Sequence, residues 1–162
     1  ENIFNGLNVY IDLDGAEALD RFAGTGSITL ELLSRGCSSV TSIELDRDHF
    51  RFICECVKKL GTEACLPLRA DVFSFIKSCR QQYDFIFADP PYALKELPQI
   101  PDLVLGTSSL LSSPSTLHPS PSTLLKSGGL FVFEHGKDYD FSQHPRFVEH
   151  REYGSVNFSL FR

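Results

Sequence analysis

Apolar and polar positions switch between two periods along this chain. Ile3, Phe4 and Leu7 have the spacing of a short helical face. Residues 18–22 read as a short strand, followed by the turn Ala23-Gly24-Thr25-Gly26. Residues 27–35 follow as a helix that Gly36 stops. Residues 40–44 form a second strand. Asp46 is placed to cap a helix whose Phe50, Ile53, Cys54, Val57 and Leu60 share one face, and Gly61 ends it. Residues 65–69 read as a third strand, 73–79 as a short helix, and 83–88 as a fourth strand running into Asp89-Pro90-Pro91-Tyr92. Residues 130–133 are a continuous apolar run, the mark of a strand buried on both faces. Residues 147–153 and 155–161 read as two strands around a tight turn at Gly154.

Strand and helix thus alternate with short connections. That pattern predicts an α/β fold: a mostly parallel sheet with helices on both faces, closed at one edge by an antiparallel C-terminal hairpin. One stretch breaks the pattern. Between Thr107 and Thr123, seven Ser, three Thr and three Pro take 13 of 17 positions, and Pro-Ser-Thr-Leu occurs twice. Such a composition buries too little apolar surface to offset its ordering entropy, so it reads as a flexible loop inserted before the fifth strand.

Composition narrows the class. With 162 residues and 42% hydrophobic positions, the chain fits one domain spanning 1–162 with a sizeable core. No apolar run reaches the roughly 20 residues that cross a bilayer, and no secretory leader is visible. Five cysteines, an odd number without a C-x-x-C pair, argue for free thiols in a reducing compartment. A cytoplasmic protein without membrane contact is expected. His49, His118, His144 and His150 show no metal-ligand spacing, and His135 reads as a surface residue. No metal is expected. The formal net charge of -6 excludes a broad electrostatic grip on nucleic acid by this chain alone. The chain starts at Glu1 and contains no methionine, so a preceding segment is expected.

The candidate chemistry sits at the strand ends. Phe22-Ala23-Gly24-Thr25-Gly26 lies after a strand and before a helix, where glycines let a ligand approach the main chain. Thr29 replaces the third glycine of a dinucleotide fingerprint, and no lysine completes a Walker loop. The turn therefore suits a nucleoside cofactor better than a pyrophosphate. Glu44, 18 residues after Gly26, is placed to accept from two ribose hydroxyls. Asp71, followed by Val72, is open to two readings: an acceptor for an adenine amine, or an N-cap. Asp20 faces the cofactor's amino end or pairs with a nearby base. Arg21 must point to the other face of its strand, and nothing in the sequence explains it.

Asp89-Pro90-Pro91-Tyr92 is the sharpest signal. Two prolines fix the backbone and remove two N–H donors, leaving rigid carbonyl acceptors beside a carboxylate. Accepting both hydrogens of an exocyclic base amine pulls that nitrogen towards a nucleophilic geometry. Tyr92 can stack on the base. A preorganised acceptor pair needs no reorganisation at the moment of attack.

These stretches, with Ser34-Arg35-Gly36 and Ile43-Glu44, resemble the class I S-adenosylmethionine methyltransferases, whose sheet is Rossmann-like. More narrowly, the chain resembles the bacterial family that methylates N2 of a guanine in 16S ribosomal RNA. The likeness runs from Phe4-Asn5 to Tyr153-Gly154; Arg21 and the Ser/Thr/Pro stretch depart from it. The resemblance implies S-adenosyl-L-methionine as cofactor. Asp20, Phe22, Ala23, Gly24, Thr25, Gly26, Glu44, Leu45, Asp71 and Val72 would hold it. Asp89, Pro90, Pro91 and Tyr92 would hold a flipped guanine. The implied partner is 16S rRNA or a small-subunit assembly intermediate, met by a monomer. The family's basic N-terminal segment is not seen here, so RNA affinity would need cations from elsewhere. Rival readings are methylation of adenine N6 or of a protein glutamine, and a non-catalytic RNA-binding module on the same fold.

Overall fold

The computed structural model describes residues 3–106 and 123–162. The stretch expected to form a flexible loop, apart from Thr123, lies outside the described residues. A 3-10 helix, Ile3–Val9, buries Ile3, Phe4 and Leu7. Then come β1 (Glu17–Arg21), α1 (Ser27–Ser34), β2 (Ser39–Ile43), α2 (Arg47–Leu60), β3 (Cys65–Leu68), α3 (Val72–Ser78) and β4 (Tyr83–Ala88). A 3-10 turn, Leu97–Gln99, leads into α4 (Ile100–Leu105). The chain ends with β5 (Leu125–His135), β6 (Phe147–Tyr153) and β7 (Val156–Phe161).

The seven strands form one sheet in the order β3-β2-β1-β4-β5-β7-β6. The pairs β1–β2, β1–β4, β2–β3 and β4–β5 are parallel, and β5–β7 and β6–β7 are antiparallel. The direction of strand order reverses between β1 and β4, which are neighbours. Ligand crevices in open α/β sheets fall at such a switch point, outside the carboxyl ends of the strands.

Period-two alternation divides the core between the two faces of the sheet. Ile86 and Ala88 of β4 join Leu19, Ile43 and Phe133 on one face, packed by Val72 and Ile76 of α3 and Ile100 and Val104 of α4. Phe85 and Phe87 join Ala18, Val40 and Val132 on the other, packed by the N-terminal 3-10 helix and Leu32 of α1. Because both faces are covered, β4 is an unbroken apolar run from Phe85 to Ala88. The edge strand β3 carries Pro67, whose missing N–H costs no ladder bond on the open side. β5 is longer than its apolar run. A register shift between Tyr83 and Phe85 accommodates Gly128 and Gly129, and a Cβ on Gly129 would lie 2.7 Å from the Asp84 carbonyl oxygen.

Caps follow the sequence. Asp46 accepts from the N–H groups of Asp48 (3.0 Å) and His49 (2.9 Å), and Gly61 closes α2 in the left-handed region. No helix among the described residues is long and apolar enough to cross a membrane.

Candidate functional site

The turn after β1 is tightly specified. Phe22 takes φ 61°, the positive-φ position occupied by a non-glycine residue among those described. Such strain costs about 1–3 kcal/mol and clusters at functional sites. Gly26 takes φ 86°, and a Cβ there would meet Ile53 Cγ1 of α2 at 3.0 Å. Glycine is thus required twice over, by conformation and by the close approach of α2. Nothing lies within 4 Å of the Cβ position on Gly24, so the turn is open to a ligand there.

Glu44, just past β2, ties this turn down. Its Oε2 accepts from Gly24 N–H (2.7 Å) and its Oε1 from Asp46 N–H (3.1 Å). Across the opening stands the turn after β4. Phe22, Gly24, Glu44, Asp46, His49 and the whole Asp89-Pro90-Pro91-Tyr92 segment line one cleft of about 540 Å³. That volume suits a ligand of nucleoside size. The open glycine edge, a ribose-height carboxylate and an aromatic wall fit S-adenosylmethionine. Glu44 retains free lone pairs on both oxygens for ribose hydroxyls.

Asp89 is set apart from its neighbours electrostatically. Burial pushes its carboxyl up to about 8, and the hydrogen bond and charge of Glu134 add to the effect. Glu134 belongs to β5, whose Phe133 is in register with Ala88, so the two carboxyls emerge from adjacent strands. Tyr92 Oη donates to Glu134 Oε2 at 3.1 Å, which fixes the ring at the mouth of the cleft. The phenol is pushed up to about 12 by burial and by the Glu134 charge.

The remaining expected residues are dispersed. Asp20 is fully buried beneath the turn. It accepts from Thr29 Oγ1 (2.7 Å), which also contacts Ser42 Oγ (2.6 Å), and burial raises its carboxyl to about 7. Ala23 is buried and Thr25 exposed at the turn's tip. Leu45 is exposed beside Glu44, with its carbonyl accepting from Arg69 Nε. Asp71 is the N-cap of α3, with Oδ2 accepting from Ser74 N–H and Oγ, and Val72 is buried in the core.

Four residues escaped the sequence reading. Glu134 is one, and its signal was available: it follows β5's apolar run as Asp89 follows β4. Thr29 is a second; the residue that breaks the dinucleotide fingerprint is the partner of Asp20. His49 is a third, brought to the cleft by the first turn of α2. His135 is the fourth and corrects the surface reading. β7 covers it, its Nε2 lies 2.7 Å from Ser159 Oγ and its Nδ1 2.8 Å from the Gly136 carbonyl, and burial lowers its pKa. Arg21 is fully buried on the face opposite Asp20. Its Nε, Nη1 and Nη2 have no hydrogen-bond partner among the described residues, and burial lowers its pKa to about 9. Among the described residues no group of three or more His, Cys, Asp or Glu side chains could hold a metal ion.

A parallel sheet of this order, a glycine turn after β1 and an antiparallel C-terminal pair define the class I methyltransferase fold. The crystal structure of a candidate methylase from Haemophilus influenzae matches with a TM-score of 0.75 at 26% identity, covering 98% of this chain and 92% of that one. The chain belongs to the family described as conserved hypothetical protein 95, whose model matches residues 1–162. Several curated relatives carry the name ribosomal RNA small subunit methyltransferase D. The Haemophilus influenzae protein is 37% identical over 99 residues, 57% of this chain and 49% of its own length. The protein of Buchnera aphidicola subsp. Baizongia pistaciae is 28% identical over 126 residues, 78% of this chain and 64% of its own length. The matched stretch thus covers about half to two thirds of these relatives.

Proposed function

We propose that this protein transfers a methyl group from S-adenosylmethionine to the exocyclic N2 amine of a guanine in small-subunit ribosomal RNA. One observation carries the reading. Gly24 and Glu44, suited to a nucleoside, and Asp89 to Tyr92, suited to a base amine, face each other across one cleft. The relatives named small subunit methyltransferases support the RNA class.

When bound, S-adenosylmethionine supplies an electrophilic methyl group on a sulfonium. The residues of the chain bind and orient. Glu44 accepts from the ribose hydroxyls, and the Phe22–Gly26 turn presents its main chain to the rest of the cofactor. Leu45 and the Asp71-Val72 junction flank its adenine side. Asp89 and the Pro90 carbonyl accept the two N–H groups of the target amine, and Tyr92 stacks on the base. Both acceptors sit on a backbone stiffened by two prolines, so they are aligned before the amine arrives. As the amine nitrogen gains its methyl it must lose a proton, and Asp89, with its raised pKa, is placed to take it. In its ionised form an aspartate offers only acceptors where an asparagine would also offer a donor, which favours an amine whose two hydrogens both need partners. The substrate is the RNA itself or a small-subunit assembly intermediate.

The test is labelled methyl transfer to small-subunit RNA, followed by mass mapping of the product nucleotide. N2-methylguanosine is expected, and it should vanish with Asp89→Ala. Methylated adenine would replace guanine as the target. Cofactor binding without transfer to any RNA would make the protein a binding module.

A further inference from the structure

The geometry points to Glu134 as the residue that selects guanine, by accepting the ring N1–H while Asp89 accepts from N2. This inference rests on the guanine reading proposed above.

Glu134 occupies a position unlike that of an ordinary strand-end acid. The β4–β5 register puts Ala88 beside Phe133, so Asp89 and Glu134 leave adjacent strands at the same height. Neighbouring strands lie about 4.8 Å apart, close enough for two carboxyls to address adjacent donors on one base edge. Asp89 and Glu134 lie within hydrogen-bonding reach of each other, and Tyr92 Oη holds Glu134 Oε2 at 3.1 Å. The stacking ring, the amine acceptor and this second carboxylate therefore form one connected unit.

Glu134 also borders a second opening. A cleft of about 370 Å³ runs from it along Ser27, Ile28 and the rings of Phe4, Phe87 and Phe158. The side chain thus lines an aromatic-walled space beside the N-terminal 3-10 helix, and its bond to Tyr92 Oη joins that space to the methyl-transfer cleft. A base stacked on Tyr92 with its amine at Asp89 would turn its Watson–Crick edge towards this carboxylate, which leaves the adjacent strand at the same height.

The chemistry of that edge decides the base. Guanine presents N2–H and N1–H side by side, two donors for two carboxyls. Adenine presents its amine beside N1, a lone pair that a carboxylate repels. Flipped bases are read in this way, by hydrogen bonds to the Watson–Crick edge. A site built around such a bond rejects an analogue that lacks the donor, because its own buried polar group is left unpaired. The groups facing Asp89 and Glu134 are Asp20 of β1, Tyr92 of the turn, Glu44, Asp46 and His49 across the cleft, Glu31 of α1 on the adjoining opening, and His135 next along β5. His49 and His135 are the groups among them that can carry positive charge, and burial disfavours the charged form of His135, so none of these groups is a fixed cation that neutralises the pair.

2-Aminopurine separates the two contacts, since it keeps the N2 amine and lacks N1–H. The full chain, Glu134→Ala and Glu134→Gln are compared on small-subunit RNA carrying guanine or 2-aminopurine at the mapped target. The unaltered chain should prefer guanine in kcat/KM by roughly 10- to 150-fold, the range for a hydrogen bond to a charged group. Glu134→Ala frees Tyr92 and alters Asp89 for both bases alike, so both activities fall, but guanine should fall further by that factor, collapsing the preference. Glu134→Gln retains a neutral acceptor and should hold an intermediate preference. Calorimetry with S-adenosylmethionine checks that each variant is folded, and if Glu134→Ala is not, Glu134→Gln decides. An unchanged preference, or an equal loss on both bases, overturns the assignment of Glu134. Failure of the unaltered chain to methylate guanine overturns the underlying reading, and this one with it.

Discussion

Glu44 and Asp89 each follow the last residue of a parallel strand, β2 and β4, and they line the same cleft from opposite sides. Their surroundings differ. Glu44 accepts from two backbone N–H groups, at 2.7 and 3.1 Å. Asp89 faces a second carboxylate, Glu134, and its carboxyl is pushed up to about 8 by burial and that neighbour. Backbone donors hold a carboxylate still and keep it an acceptor. A carboxylate neighbour with burial turns the same group into a base that readily takes a proton. On the reading proposed above, one strand end positions the cofactor and the other accepts charge and a proton during reaction.

The sharpest way to break this contrast is to remove each carboxylate in turn. Asp89→Ala should lower kcat for methyl transfer by roughly 10²–10⁴-fold, the range for a lost general base. Its affinity for S-adenosylmethionine, read by calorimetry, should change by less than about 3-fold. Loss of both in a folded variant would move Asp89 into the cofactor site. Glu44→Ala should do the opposite and weaken cofactor binding by roughly 1.5–3 kcal/mol. Part of that loss comes from the Gly24 N–H, which is left without its partner. An unaltered affinity would remove the ribose role from Glu44.

Much of the Glu44 half of the site was legible because local chemistry alone dictates it. Gly24 and Gly26 announce a positive-φ turn, Asp46 a cap and Gly61 a stop, and each needs only its own neighbours. The Asp89 turn is equally local, since two prolines act on their own backbone. Glu134 needs more: its meaning comes from the β4–β5 register, which no local pattern states. Residues 126–129 hid that register, because Lys126, Ser127 and two glycines carry no strand signal although they lie within β5. α4 is too short, with Pro101 at its second position, to show a helical period. His135 looked exposed because the hairpin that buries it joins β5 through β7, about 20 residues further on. Asp71 shows the reverse case: both readings were open, its carboxyl caps α3, and the adenine role stays with the proposal.

β1 separates the two halves, and its last two residues supply a control for both. Asp20 and Arg21 are 1% and 0% exposed, carry opposite formal charge, and cannot meet because they point to opposite faces. Asp20 has Thr29; Arg21 has no partner for any side-chain nitrogen among the described residues. An unpaired buried polar group costs about 1–3 kcal/mol. Arg21→Leu should therefore raise stability to urea by roughly 1–3 kcal/mol, and leave cofactor affinity and methyl transfer unchanged. Destabilisation would show that the guanidinium has a partner the contrast with Asp20 overlooks.

The smallest expected effect tests the Asp89 half of the comparison by titration. The Asp89 carboxyl stands at about 8 in the folded chain against 3.8 for a free aspartate. Between those values the folded state holds a proton that the unfolded state has lost. Stability from this group is then full below about pH 4 and falls as pH rises towards 8. The side-chain amide introduced by Asp89→Asn mimics the protonated carboxyl and has no such proton to lose. The variant and the unaltered chain should unfold alike in urea at about pH 4. At about pH 9 the variant should be the more stable, by on the order of 1 kcal/mol once screening by water in the open cleft is allowed for. Asp20, raised to about 7, tilts both curves in the same sense and cancels in the difference. Equal stability at both pH values would mean that neither burial nor Glu134 raises the Asp89 carboxyl in solution, and the two strand ends would then be chemically alike.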